Sequence, residues 1–396
     1  MAEKETMIIE SRAGPLEKIG HAVLRRMGRT CPHGVTWDEQ RVLTADEQAQ
    51  LKMIARWTVV RAGLAGALSA IIAAVAAVYA EGVFSGHALN YWLVFGGMSL
   101  VAATFEVGFL YYDALRAVHR ISSVCDVELF PENEERSRMA GVMVRAAMEL
   151  PNPPDRDPYV NPFRQASKLR VLTGELLYKG KILATNALAK VLVRKIFIRG
   201  AARAWLEFVA VPVTAVWNAV VCFWVLRQAR IRAIGPSALL QVLPDRLSQL
   251  EAKVAQAAQR AVGCCVSASR DLHPNHRCML EMMRKHTTVM VTDLADDHEE
   301  FLRNLAALNQ HGRGIVLDIL VLAIVVDGRI SQGEKLLLQD ALKVHGADPV
   351  DDRLRQALHS FRRGHGVPSL YGGTQSEGAH TPQASVGMDD LAGDEA

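Results

Sequence analysis

Charge of one sign is what this sequence has least of: 45 Lys and Arg stand against 42 Asp and Glu, a net charge of +3 over 396 residues. Binding to a nucleic-acid backbone needs a concentrated basic surface, so nucleic acid is not an expected partner. Cysteine is also sparse. Cys31, Cys125, Cys222, Cys264, Cys265 and Cys278 are too few and too scattered for a disulfide scaffold in a chain this long. Reduced thiols on a cytoplasmic side are therefore expected. Residues 1–50 carry many charges and no apolar h-region, so no cleaved signal peptide is expected there. Catalytic signatures are missing too: there is no GxSxG elbow, Walker loop, HExxH or dinucleotide fingerprint. An enzyme acting at a membrane face would have to use residues that no motif announces, and a non-enzymatic role is the expectation.

Long apolar runs are what the sequence has instead. Hydrophobic residues make up 50% of the chain and the mean hydropathy is +0.09. From Trp57 to Ala80 the sequence reads WTVVRAGLAGALSAIIAAVAAVYA, with Arg61 its one charge. About 20 apolar residues cross a hydrocarbon core, so this run is long enough to span. A short link, Glu81 to Ala88, leads to LNYWLVFGGMSLVAATFEVGFLYY, Leu89 to Tyr112, which has aromatic residues at both ends, as interfacial rings require.

Two charges lie inside this hairpin. An antiparallel arrangement brings the start of the first helix beside the end of the second, so Arg61 and Glu106 either pair or extend separately toward the headgroups. Ala62, Gly66 and Ala70 on one helix, with Gly96, Gly97 and Ala103 on the other, predict close backbone approach. Lys52, Arg56 and Arg61 precede the hairpin and Arg116 and Arg120 follow it, while the link holds no Lys or Arg. The positive-inside rule then places both ends in the cytoplasm.

A third apolar segment, LEFVAVPVTAVWNAVVCFWVL from Leu206 to Leu226, carries Glu207, Pro212 and Asn218 and is flanked by basic residues on both sides. Three forms fit it: a full span, a re-entrant or interfacial helical pair, or a helix buried in protein. As a single pass after the hairpin it would put the C-terminal half outside. Upstream, Val171 to Gly200 reads as a basic amphipathic helix, suited either to anionic headgroups or to water. Pro151, Pro153, Pro154 and Pro158 end the helix predicted from Glu134 to Leu150.

The remaining sequence is helical by pattern. Pro15 to Met27 is amphipathic, Thr44 with Glu47 forms a capping-box pattern, and Gly364 to Ala396 has little to bury and reads as a disordered tail. Cys264, Cys265, His273, His276 and Cys278 form a metal-like cluster by residue type, although their spacing matches no structural zinc pattern. Cys31 to Gly34, CPHG, is a weaker candidate. The acidic run Asp293, Asp296, Asp297, Glu299 and Glu300 reads as a solvated face or a second weak cation site.

Near the C-terminus, GIVLDILVLAIVVDGRISQGEKLLLQDALKVHG spans Gly314 to Gly346. Its apolar run is too short to cross a bilayer and fits a buried helix. Asp327 and Gly328 make a turn, and Ser331 with Glu334 forms a second capping box. The turn resembles half an EF-hand, but the first and third ligand places fall on Ala323 and Val325, which have no side-chain oxygen. VVDGRISQGE is more similar to the family of tellurite-resistance TerB-like modules, over roughly residues 282–346. That resemblance implies a small helical bundle associated with stress responses, membrane-linked complexes and, in some members, metal ions. It also implies Asp327 and Glu334 as an acidic pair, with Asp318 contributing from the preceding helix. The residues themselves leave open whether Asp327 and Glu334 bind a weak divalent cation or only cap the turn. No other cofactor is expected.

The expected architecture is an all-α integral membrane protein of a bacterial-type inner membrane. Its parts are an N-terminal cytoplasmic region (1–56), the hairpin (57–112), a helical region (113–205), the third segment (206–226), a C-terminal region with the TerB-like module (227–363) and the tail (364–396). Such a chain is expected to act as a scaffold or stress-related protein that presents cytoplasmic helices to a protein partner or a second copy of itself, with the lipid bilayer as its other partner. The rival expectation is a transporter or ion-translocating assembly that uses Arg61, Glu106 and Asn218.

Overall fold

The computed structural model describes residues 15–28, 43–84, 88–125, 127, 129, 134–148, 150, 203–247, 250–287, 297–347, 351–368 and 370–371. The amphipathic stretch 171–200, the proline cluster at 151–158, Cys31 to Gly34, Asp293 and Asp296 lie outside these residues. Among the described residues all regular structure is helical. The helices are α1 (Pro15–Met27), α2 (Ala45–Val83), α3 (Ala88–Val124), α4 (Glu134–Ala147), α5 (Arg203–Leu247), α6 (Ala252–Ser269), α7 (Pro274–His286), α8 (His298–Ala306), α9 (Gln310–Val325), α10 (Gln332–His345) and α11 (Asp351–Arg363).

Three of these helices, α2, α3 and α5, are long and apolar enough to cross a membrane. They pack together as a bundle. Thr44 caps α2 in the predicted box, its side chain accepting from the Glu47 amide while Glu47 accepts from the Thr44 amide. The third segment forms as one continuous helix that includes Pro212, not as a helical pair. Proline removes one backbone donor, and the packing of α5 along α2 offsets that loss.

The inner seam of the bundle is built from small residues. Ala62, Gly66, Ser69, Ala70, Ala74 and Ala77 of α2 are buried, as the predicted spacing requires. Gly66 faces α5: a Cβ there would lie 2.5 Å from the Asn218 side-chain nitrogen and 2.9 Å from the Thr214 carbonyl oxygen. Gly96 and Gly97 do not take part, since a Cβ at either would meet nothing within 4 Å. Close approach is therefore concentrated between α2 and α5 and not, as expected, at a glycine pair on α3.

Outward-facing residues of the bundle are apolar. Leu64, Leu68, Val75, Leu93, Leu100, Phe105, Val216 and Val220 are all exposed, which suits lipid and is unfavourable in water. Trp57, Tyr112 and Trp224 are exposed at one level, and Tyr79 and Trp92 toward the other end. At 1.5 Å per residue, Trp57 and Tyr79 lie about 33 Å apart along α2, close to the ~30 Å hydrocarbon thickness that such aromatic belts bracket.

The rest of the described chain gathers at the end of the bundle marked by Trp57 and Tyr112. There α1 packs on α3 and α4, held by Glu17, which accepts from Arg145 Nε at 2.8 Å and Nη2 at 2.9 Å. Arg232 of α5 donates to the Val142 carbonyl of α4 at 2.8 Å. Helix α5 runs on from the bundle into a C-terminal module whose centre is α9, buried from Val316 to Val325 and covered by α6, α10 and α11. The module also returns to α2: Leu43 N–H donates to the Gly364 carbonyl at 3.1 Å.

These contacts fix the direction of α5. Its C-terminal half lies with the start of α2 and the end of α3, so α5 runs parallel to α3, and its Arg203 end points to the opposite end of the bundle. At 1.5 Å per residue Arg203 stands about 31 Å from Trp224 along the helix axis, near the other aromatic belt. The expectation that a single third pass would separate the C-terminal half from the hairpin's ends is thereby corrected. The structure brings them together.

The start of the expected tail is also ordered. The amides of Leu370 and Tyr371 each donate to Asp318 Oδ1 at 2.8 Å. Most of the remaining tail lies outside the described residues.

Candidate functional site

Two polar groupings stand out in this apolar framework. The first is inside the bundle. Arg61 does not meet Glu106: its Nε donates to Asp113 Oδ1 at 3.1 Å and Oδ2 at 3.0 Å, its Nη2 lies 3.0 Å from Oδ1, and Nη2 also donates to Thr58 Oγ1 at 3.1 Å. Glu106 lies about 10 Å further along α3, nearly two turns, and so belongs to a different level of the hairpin. There it accepts from Asn218 Nδ2 at 2.6 Å. The three residues singled out by sequence therefore do not form one cluster. Arg61 closes the level near the Trp57 end of the bundle with Asp113, while Glu106 and Asn218, both buried, form a pair deeper in the bundle.

The second grouping lies in the C-terminal module, where α6, α7, the end of α9 and the start of α10 converge. Four consecutive residues, Asp327 to Ile330, turn the chain from α9 toward α10. Gly328 adopts φ +78, which favours glycine, and a Cβ there would strike Ile231 Cδ1 of α5. Arg362 of α11 donates to the Gly328 carbonyl from Nε at 3.1 Å and Nη2 at 2.9 Å. Next, Gly333 lets the start of α10 approach α6: a Cβ there would be 2.5 Å from the Ala268 carbonyl oxygen.

That approach places Glu334 against Cys265. Glu334 Oε2 accepts from Ser331 N–H at 2.7 Å, completing the predicted capping box. Its other oxygen, Oε1, accepts from the Cys265 thiol at 3.5 Å. His276 comes in from α7, where its Nε2–H donates to the Ala323 carbonyl at 2.8 Å. A carbonyl can only accept, so the proton is on Nε2 and Nδ1 carries the lone pair. Cys265, His276 and Glu334 are each wholly buried, and one ligand atom from each lies within 4.8 Å of the other two.

Burial dominates the electrostatics here. It pushes the Cys265 thiol well above its ordinary range, reinforced by the charges of Glu334 and Asp327. Burial and Asp327 together push Glu334 up to about 7. Asp327 is raised too, by burial, although Arg329 bonds it through N–H at 2.9 Å and Nε at 3.2 Å. His273, buried beside Arg232 and His276, is held well below the usual histidine range, burial again being the main cause.

The structure thus redistributes the residues that sequence reasoning proposed. Glu334 joins a three-residue cluster, while Asp327 stands next to it and is paired with Arg329. Asp318 is turned elsewhere, bound by Arg246 and by the tail amides. Of the metal-like set, Cys265 and His276 come together and Cys264, His273 and Cys278 do not join them. Adjacent cysteines point in different directions on a helix, and the turn between α6 and α7 selects His276. Compared with protein-family models, with curated proteins and with solved structures, the chain matches none.

Proposed function

We propose that this chain is a non-enzymatic, membrane-anchored scaffold that holds a helical module against the bilayer for protein partners. One observation carries this reading: α5 leaves the apolar bundle and continues without interruption into the module. Asn275 of α7 then ties the two parts, donating to the Ile231 carbonyl of α5 at 3.0 Å and to the Val326 carbonyl at 2.7 Å. A module joined so rigidly has a set height and orientation over the membrane. The positive flanks of the hairpin favour a cytoplasmic placement of the module in an inner membrane of bacterial type. The similarity of VVDGRISQGE to TerB-like modules supports a stress-related role at that membrane.

Site-specific photo-crosslinking in native membranes tests this. Leu336 is an exposed apolar residue on the outer face of α10. Crosslinkers placed there and at neighbouring exposed positions of α10 are expected to give discrete adducts with a partner or a second copy. Absence of any adduct along α10 would count against the scaffold reading.

The buried Glu106–Asn218 pair favours a second reading, an ion-translocating assembly, because an ionisable residue held inside a membrane bundle commonly serves transport. Unchanged flux of protons and monovalent cations in vesicles after Glu106→Gln would remove its support.

A further inference from the structure

We infer that Cys265, His276 and Glu334 form a structural site for one divalent, borderline-soft metal ion of the zinc class. The donor set is thiolate sulfur from Cys265, Nδ1 from His276 and Oε1 from Glu334. This goes beyond the scaffold reading and does not depend on it.

The decisive observation is His276. It is fully buried, and its Nδ1 has no hydrogen-bond partner. Leaving a buried polar atom unmade costs about 1–3 kcal/mol, so such an orphan requires an explanation. The Nε2–H to Ala323 bond is the outer support that metal-bound histidines characteristically have, since it fixes the tautomer and directs the opposite nitrogen to the metal. Glu334 is supported in the same way. Its Oε2 is engaged by Ser331 N–H, which fixes the carboxylate and leaves Oε1 facing the thiol.

Distances and charge agree with this assignment. Cys265 Sγ lies 3.5 Å from Glu334 Oε1, and one ligand atom from each of the three residues lies within 4.8 Å of the other two. A tetrahedral centre with bonds of about 2.0–2.3 Å needs its ligands about 3.3–3.8 Å apart, so His276 has to move in by about 1 Å. A small rotamer adjustment supplies that. Thiolate and carboxylate bring two negative charges, which a divalent cation cancels, and Arg329 pairs with the adjacent Asp327 as well as with Asp271. The bound site is therefore neutral, as burial demands. On binding, the Cys265 S–H bond gives way to a sulfur–metal bond and the proton passes to solvent, along with any proton on Glu334. The three protein ligands leave a fourth position for a water molecule. Since all three ligands are fully buried, the ion would brace α6, α7 and α10 and would not serve as an open catalytic centre.

The test uses the full chain purified in detergent. Metal content is measured by elemental analysis on the wild type and on Cys265→Ser, His276→Ala, Glu334→Gln and, as control, Cys264→Ser. Zinc close to equimolar with the chain is expected in the wild type and in Cys264→Ser, with at least a tenfold loss in Cys265→Ser. Cobalt(II) exchanged into the wild type is expected to show tetrahedral visible bands and a thiolate-to-metal charge-transfer band. That spectrum does not depend on whether any variant folds. Wild-type protein that takes up neither metal even when zinc or cobalt is supplied during growth overturns the site. So does an equal loss of metal in Cys264→Ser and Cys265→Ser.

Discussion

Asn275 grips the backbone of the long apolar helix α5: its side-chain amide donates to Ile231 of α5 and, at the same time, to Val326 at the end of α9. The helix offers its backbone here because Gly235 has no side chain; a Cβ at that position would fall 2.2 Å from the Asn275 amide nitrogen. One turn away the Asp327–Gly328 turn rests on the same Ile231. At this point bundle and module meet through backbone contacts that the Gly235 and Asn275 pair permits.

Replacing Asn275 with Ala removes both bonds; the Ile231 carbonyl keeps its partner within α5, and the loss at the Val326 carbonyl costs about 1–3 kcal/mol. Limited proteolysis in detergent is expected to cut between α5 and α7 faster in the variant, while the bundle fragment stays intact. An unchanged digestion pattern would show that Asn275 does not hold the two parts together.

Within the bundle, Asp113→Asn removes the charge opposite Arg61 and one of the two oxygens it holds, leaving Thr58 in place. Arg61 is about a third exposed, so screening reduces the loss to about 1–3 kcal/mol, below the range for a fully buried pair. The double variant Arg61→Gln with Asp113→Asn is expected to recover part of that stability in detergent melts. Additive losses in the double variant would contradict the pairing.

Gly66→Ala is expected to push Asn218 and the Thr214 backbone away, for about 1–3 kcal/mol. By contrast Glu106→Gln keeps an oxygen for Asn218 and should cost less than Asn218→Ala, which strands a buried carboxylate. Thermal unfolding of the three variants, ranked, checks the order. A Gly66→Ala protein as stable as the wild type would show that α2 and α5 are not closely packed there.

The acid groups at the turn predict an unusual pH dependence for metal-free protein. The groups facing Glu334 are Cys265, His276, Asp327, Arg329 and Ser331. Glu334 is raised from 4.5 to about 7 and Asp327 is raised as well, so the folded state binds more protons than the unfolded state in this window. Stability is then fully present below about 4.5 and is lost as pH rises through about 7, an effect of about 3 kcal/mol for Glu334. Chelator-treated protein should melt at a higher temperature at pH 5 than at pH 8, and Glu334→Gln should flatten the difference. A melting temperature that rises over this range would contradict the burial of the uncharged acid.

The direction of α5 predicts sidedness. A cysteine reporter placed at Arg203 is expected to react with an impermeant reagent from the membrane face opposite to one placed just after Asp113, and a reporter at Glu251 from the same face as the latter. Labelling of all three from one face would mean that α5 does not cross.

Much of this protein was legible in its sequence. The hairpin, the helix at Pro15–Met27, both capping boxes and the Asp327–Gly328 turn depend on local pattern: unbroken apolar length, helical spacing, and cap residues three positions apart. Such features are set within one or two turns of chain, and a sequence contains all the information they need.

Partnership across the bundle and the module was decided only by tertiary structure. Arg61 meets Asp113 instead of Glu106 because the register of an antiparallel hairpin depends on where the link turns. Asn218 meets Glu106 because α5 packs beside Gly66. His276, not His273 or Cys278, faces Cys265 because the turn between α6 and α7 rotates it inward, and Gly333 brings Glu334 down to meet them. These residues are far apart in the chain, and no periodicity connects them. Their proximity comes from three-dimensional packing of helices whose individual existence, but not whose mutual rotation, the sequence specifies.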